Sequence, residues 1–168
     1  TMSQTRILTM RVERITRETP EILRVVLSHP WGRALPAYEA GAHIDLSLPG
    51  GFSRQYSLAQ APHVAGNRYV IGVKREPTSR GGSAAVHSRV REGDLIPVGA
   101  PRNTFTLVRD GVQHLLLAGG IGVTPLLAMA QTLAARAEHF TLCVFARSPE
   151  HLAFAESLRE SSLAPHVR

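Results

Sequence analysis

The hydrophobic rhythm of the chain changes once, near residue 110. Before that point apolar residues come in short runs and alternations, parted by glycine and proline. Residues 6–16 (RILTMRVERIT) and 22–28 (ILRVVLS) are rich in β-branched side chains and flank Thr19-Pro20, so both read as strands. The segment 29–42 carries Pro30, Pro36 and Gly41 and reads as a loop. His43–Leu48 alternates His-Ile-Asp-Leu-Ser-Leu, the mark of a half-buried strand. Pro49-Gly50-Gly51 is a turn, and 52–58 is the next strand. A further turn near Gly66-Asn67 leads into a strand over 68–75 (RYVIGVKR). Gly81-Gly82 then precede SAAVHSRV, a short helix that Ser83 is placed to cap. After a turn at Arg91–Asp94, LIPVGAP returns to extended chain. Six strands and one short helix predict a closed or nearly closed antiparallel barrel over residues 1–109.

After Arg109-Asp110-Gly111 the pattern differs. QHLLLAG is a continuous apolar run, as expected of a parallel strand buried on both faces. In the following segment Leu126, Met129, Ala130 and Leu133 recur at helical spacing, with Thr124 as N-cap and Pro125 at the first helical position. FTLCVFA, residues 140–146, is a second buried strand, and Ser148-Pro149 opens a second helix. This β-α-β-α order predicts the first half of a doubly wound nucleotide-binding domain over 112–168. Such a sheet normally has five or six strands. The expectation is therefore that the sequence is cut short relative to a larger protein, with a third strand starting near Ala164–Arg168. The fold class is β + α/β.

Composition narrows the function. With 43% apolar and 19% charged residues the chain has material for a core. A net charge of +6 leaves two readings open, an anionic partner or a mildly basic surface with none. Lys74 is the only lysine, no Lys/Arg run occurs and aromatics are 5%, so no nucleic-acid platform is expected. The single Cys143 excludes an internal disulfide and any site needing several thiolates, and no metal site is expected. No apolar segment has membrane-spanning or signal-peptide length, which makes the cytoplasm the simplest address.

Two glycine-rich stretches precede helices. Arg80-Gly81-Gly82-Ser83 has the makings of a phosphate cradle, with unobstructed backbone N–H groups, a cation and a hydroxyl, and equally those of a tight turn before a capped helix. Gly119, Gly120 and Gly122 lie between a buried strand and a helix, where a parallel sheet binds dinucleotides. The full G-x-G-x-x-G spacing is absent, so a sterically required turn competes with that reading. Arg54 and Tyr56 lie two apart on one strand face, a fork for phosphate beside a flat ring, or simply an exposed pair.

Taken in order, R-Q-Y-S-L (54–58), V-K-R-E (73–76), R-G-G-S (80–83), A-P-R-N-T-F (100–105) and L-L-A-G-G-I-G-V-T-P (116–125) closely resemble the ferredoxin-reductase-like flavoproteins. The resemblance is to the phthalate dioxygenase reductase / vanillate demethylase reductase branch. It includes Gly41-Ala-His-Ile-Asp-Leu46 and runs through essentially the whole chain. It implies a barrel that binds flavin and an α/β unit that binds NAD(P)H. By position, Arg54 would contact the flavin phosphate, Tyr56 would pack on the isoalloxazine, and Gln55 belongs to the same motif. Ser57 would sit near flavin N5, with Thr124 beside the flavin at the domain junction; these two are the catalytic candidates. Val73 and Lys74 would line the ribityl and ring side. Arg80, Gly81, Gly82 and Ser83 would hold the terminal phosphate. Gly120, Ile121 and Gly122 would face the nicotinamide nucleotide, with Arg147 near the adenosine ribose. The R-G-G-S form, and a following segment without an adenine-stacking aromatic, imply FMN, with FAD as the open alternative.

The resemblance implies hydride transfer from NADH or NADPH to the flavin, the alternative for this shortened chain being a flavin-binding module without turnover. Electrons would then pass to a [2Fe-2S] centre and on to a Rieske-type terminal oxygenase or a ferredoxin. The C-x4-C-x2-C run of the iron–sulfur domain does not occur here, so that domain and the rest of the nucleotide domain are expected outside this chain. His43 and His87 are expected to be packing or surface residues. The unpaired sheet edge is expected to favour a dimer.

Overall fold

The computed structural model describes residues 5–76, 81–108 and 113–168. Six strands form one antiparallel sheet: β1 (Ile7–Arg17), β2 (Ile22–Ser28), β3 (His43–Leu48), β4 (Phe52–Ser57), β5 (Arg68–Lys74) and β6 (Leu95–Arg102). Their spatial order is β4-β3-β6-β1-β2-β5. A Leu58–Ile71 bridge, with the Ala59 N–H donating to the Val70 carbonyl at 2.8 Å, brings the two ends together, so the barrel is nearly closed.

Alternation does what the sequence pattern requires. In β3, Ile44, Leu46 and Leu48 are buried while Ser47 faces solvent. They join Met10, Val12, Leu27, Ile71 and Val73 in one interior cluster, where each large side chain contributes about 1.5–3 kcal/mol. Tyr69 is buried and donates to the Pro36 carbonyl at 2.5 Å, and burial pushes its phenol up to about 12. Gly41, at φ +98°, holds the loop that enters β3. A Cβ there would stand 1.9 Å from the Phe105 carbonyl oxygen, so no other residue fits without movement.

Two short helices interrupt the barrel. α1 (Pro62–Ala65) is a single turn that the sequence pattern did not signal, being too short to show a period. α2 (Gly82–Ser88) begins on Gly81, at φ +113°. Ser83 is inside the helix rather than its cap; its Oγ instead accepts from the Glu76 N–H at 3.1 Å. That bond ties α2 to the chain leaving β5.

The remainder is β7 (His114–Gly119), α3 (Val123–Ala135) and β8 (Phe140–Phe145), with β7 and β8 parallel. Leu126, Met129, Ala130 and Leu133 are all buried, as their spacing predicts. The cap expectation fails: the helix starts at Val123 on Gly122, and the Thr124 hydroxyl donates back to the Ile121 carbonyl at 3.0 Å. The second helix does not form as one piece. Leu152 is extended and Phe154 is left-handed, so a 3-10 turn (Pro149–His151) and α4 (Ala155–Leu158) replace it. Val167 and Arg168 pair with β8, the beginning of a third parallel strand. The apolar run of β7 is covered on one face only. Leu116 and Ala118 pack under α3, whereas Leu115 (66% exposed), Leu117 (60%) and Phe145 (64%) lie open.

The boundary expected at 109–112 lies outside the described residues. Around it, barrel and α/β elements share a core: Ile22, Ala59 and Val70 cluster with Val123, Leu127 and Phe154. The buried Gln131 amide oxygen accepts from the Ala61 N–H at 2.7 Å, and Glu18 accepts from the Phe154 N–H at 2.9 Å.

Candidate functional site

The alternation of β4 turns Phe52, Arg54 and Tyr56 to one side and Ser53 and Gln55 to the other. Their partners across the ladder are Leu48, Leu46 and Ile44, all core residues. The Arg54–Tyr56 face is therefore the core-side face of the sheet, where α2 comes down on it. An Arg on this face is unusual, and its surroundings explain how it is tolerated. Its Nη1 donates to the Ser53 carbonyl at 2.8 Å, and its Cζ lies 5.4 Å from the Phe52 ring centre. A Cβ on Gly82 would stand 2.7 Å from Arg54 Nε, and one on Gly81 would stand 2.8 Å from the Phe52 ring. The two glycines thus let the first turn of α2 lie directly against a guanidinium. Burial raises the Tyr56 phenol, with the Arg54 charge opposing, so the ring is neutral.

Behind this cradle, the end of β5 ties several parts together. The Val73 side chain is buried in the barrel, and its carbonyl accepts from His87 Nε2 of α2 at 2.9 Å. Only the backbone of Val73 is left to line a ligand. Burial, the largest cause, lowers the His87 pKa, reinforced by Arg17 and Arg75; its bond to Val73 opposes this. At Gly72 the backbone meets the α/β part: a Cβ would stand 2.9 Å from Ile121 Cδ1, 3.0 Å from Thr124 Cγ2 and 3.2 Å from Phe154 Cε2. Thr124 is buried, its methyl against β5 and its hydroxyl committed to Ile121.

A second concavity of about 310 Å³ opens between barrel and α/β part, at the carboxyl ends of β7 and β8. Glu21, Lys74, Gly120, Arg147 and His151 line it. Arg147 reaches across to Glu21, Nη2 to Oε1 3.2 Å, and Lys74 Nζ lies 3.8 Å from the Glu76 carboxylate. Gly120 takes φ +56°, the left-handed turn that aims the start of this loop into the opening.

The expected residues therefore fall into two adjoining groups joined by β5. Arg54, Gly81 and Gly82 come together with Phe52. Lys74, Gly120 and Arg147 line the cleft, with Ile121 and Thr124 at the junction. Ser57 is half-buried at the end of β4, opposite His43. Gln55 is exposed on the opposite face of β4, and Gly122 is exposed at the foot of α3. Arg80 lies outside the described residues. Sequence reasoning missed Phe52, Gly72, His87 and Glu21 as site-forming residues. A glycine within an apolar strand was the readable sign for Gly72. No local sign marks Glu21, whose partner is 126 residues away. Among the described residues, no group of three or more His, Cys, Asp and Glu is arranged to hold a metal. Among the described residues no helix is long and apolar enough to cross a membrane.

This architecture is that of the ferredoxin-reductase-like proteins. The chain superposes on phthalate dioxygenase reductase, a modular structure for electron transfer from pyridine nucleotides to [2Fe-2S], with a TM-score of 0.91 and 37% identity over 96% of this chain and 50% of that one. It also matches the flavohem-like FAD/NAD-binding domain of nitric oxide dioxygenase from Vibrio cholerae O1 biovar El Tor, at TM-score 0.77 and 28% identity, covering 90% of this chain and 69% of that one. In sequence it is 51% identical over 137 residues to a vanillate O-demethylase oxidoreductase of Pseudomonas sp. (strain HR199 / DSM 7063), covering 82% of this chain and 43% of the relative. It is 42% identical over 147 residues to a phthalate 4,5-dioxygenase reductase subunit of Pseudomonas putida, covering 87% and 45%. No family model matches the chain. Over most of its own length the chain is similar to the reductases of phthalate dioxygenase and vanillate demethylase systems. It spans a little under half the length of these curated relatives.

Proposed function

We propose that this chain is the flavin-holding barrel, residues 1–109, and the opening half of the nucleotide-binding unit, residues 112–168, of an NAD(P)H-dependent reductase that supplies electrons to an oxygenase. The observation that carries this reading is the Arg54 guanidinium laid against the backbone of Gly82, on the strand that also carries Tyr56. A side chain at position 82 would fill that space, so the geometry suits a ligand phosphate gripped by a cation and glycine amides. Ser83 favours the same ligand, because its hydroxyl accepts from Glu76 and retains its own proton to donate. The relatives named for oxygenase and demethylase systems supply the class of activity.

In this reading Arg54, Arg80, Gly81, Gly82 and Ser83 bind the phosphate. Tyr56 and the backbone of Val73 flank the ring, with Gln55 and Ser57 along the same strand. Thr124, held by Gly72 and Ile121, sets how near the nucleotide loop approaches. Lys74, Gly120, Ile121, Gly122 and Arg147 take the nicotinamide nucleotide in the cleft. The chemistry a bound flavin supplies there is acceptance of a hydride and release of single electrons. The residues themselves orient the two ligands and exclude water, which is where their rate effect lies. The flavin is FMN. The iron–sulfur acceptor lies in a part of the protein beyond these residues, and the terminal oxygenase or ferredoxin is reached through it, in the cytoplasm. Left uncovered, Leu115, Leu117 and Phe145 drive self-association of the 168-residue chain.

The test is reconstitution. Gel-filtered protein mixed with FMN should stay yellow, and the colour should weaken in Arg54→Ala and Ser83→Ala. Bleaching by NADH should be slow or absent in this chain. If neither FMN nor FAD is retained, the proposal fails.

A further inference from the structure

We propose that Glu21 of the barrel, rather than a residue of the α/β part, sets which dinucleotide the cleft takes. It selects an adenosine ribose with a free 2′-hydroxyl over one carrying a 2′-phosphate. This rests on the reading of the cleft as the nucleotide site. In doubly wound sheets an acid near the ribose accepts from the 2′-hydroxyl, whereas an arginine there accommodates a 2′-phosphate. Just past β8 this chain has Arg147 and no acid until Glu150. Taken alone, that arginine favours the phosphate. The structure reverses the reading, because the acid arrives from the barrel: Glu21 lines the same cleft and pairs with Arg147, Nη2 to Oε1 3.2 Å.

Glu21 is presented from a fixed backbone. It lies in the turn between β1 and β2, where the Thr19 hydroxyl accepts from the Glu21 N–H at 3.2 Å and the Ile22 N–H at 3.0 Å. The Glu21 carbonyl accepts from the Arg75 N–H at 2.7 Å, which pins the turn to the chain leaving β5. Glu18, in the same turn, holds the Phe154 N–H of the α/β part. The Glu21 side chain is 43% exposed, and its second carboxylate oxygen has no hydrogen-bond partner among the described residues. That oxygen is an acceptor at the cleft, and a ribose hydroxyl can donate to it while Arg147 keeps its own bond. A 2′-phosphate has no such place. The cleft's two permanent cations, Arg147 and Lys74, each face a carboxylate, Glu21 and Glu76. The phosphate would have to break the Arg147 pair and would still lie beside the released Glu21 charge.

Calorimetric titration of the chain with NAD+ and with NADP+ tests this. The native chain should bind NAD+ about fivefold or more tightly than NADP+. Glu21→Gln should move the affinity ratio toward NADP+ by about fivefold, and the charge reversal Glu21→Lys by about tenfold or more. Arg147→Gln should leave NAD+ preferred, since the carboxylate remains. A ratio unchanged in both Glu21 variants, while NAD+ still binds, overturns the role of Glu21 and leaves the cleft as the nucleotide site. A native chain that prefers NADP+, or loss of the NAD+ preference in Arg147→Gln, overturns it as well. If neither dinucleotide binds, the cleft reading fails and the role of Glu21 with it.

Discussion

Replacing Gly82 with alanine separates the fold of α2 from its use. Position 82 is the first residue of α2 and has no left-handed backbone to strain, so alanine suits it locally. By propensity alone the change favours the helix by up to about 1 kcal/mol. The new methyl would stand 2.7 Å from Arg54 Nε and 2.9 Å from its Cγ, closer than the groups can approach. The helix is packed, so the arginine moves. It then loses its bond to the Ser53 carbonyl, about 0.5–1.5 kcal/mol, and its position over the Phe52 ring, about 0.5–1 kcal/mol. The helix gain cancels part of that loss; with the full gain up to about 1.5 kcal/mol remains, and the melting temperature should fall by no more than about 6 °C. Ligand binding has no such cancellation. A displaced guanidinium forfeits a charge-assisted bond to phosphate of about 1.5–3 kcal/mol, or about 10- to 150-fold in FMN affinity. Fluorescence titration with FMN, run beside thermal unfolding of the same sample, reads both. A Gly82→Ala protein that melts normally and binds FMN like the native chain would refute the reasoning.

Three other outcomes follow from the structure. Gly41→Ala combines a left-handed backbone with a 1.9 Å overlap on the Phe105 carbonyl, so urea unfolding should show a loss of about 2–5 kcal/mol. His87 has its pKa lowered in the fold, so between that value and its unfolded value of 6.5 the unfolded chain binds more protons. Stability from this group is complete above pH 6.5 and declines as pH falls below it; unfolding midpoints in His87→Gln should lose that part of the slope. Glu21→Gln frees Arg147, and adenosine 2′,5′-bisphosphate should then gain up to about fivefold in affinity relative to AMP. An unchanged ratio, measured by calorimetry, would show that Arg147 does not meet the ribose end of the ligand.

The barrel was legible because its signals are local. Ile44, Leu46 and Leu48 alternate within six residues, and Pro49-Gly50-Gly51 marks the turn that follows. The helix over Val123–Ala135 was legible for the same reason, its buried positions recurring every three or four residues. What escaped depends on partners far along the chain. The caps failed because Ser83 found Glu76 and Thr124 found Ile121, contacts that a list of favoured cap residues does not contain. The second α/β helix failed because the buried Phe154 takes a left-handed turn, with its N–H fixed by Glu18 from the barrel. Leu115 and Leu117 were expected inside because apolar runs are normally covered, but only one covering layer comes from these residues. At the candidate site, Arg54 and Tyr56 were readable as sharing a face, whereas the Phe52 ring beneath Gly81 was not.

Gly72 has one more effect. There the two parts of the molecule touch main chain against side chain, with nothing but a hydrogen on the strand side. Their spacing is thus set by the peptide unit itself and is indifferent to which residues neighbouring strand positions carry. Drift elsewhere in the barrel can alter side-chain packing without changing that spacing. A single methyl at this position would act as a shim, prising the halves apart along their whole seam.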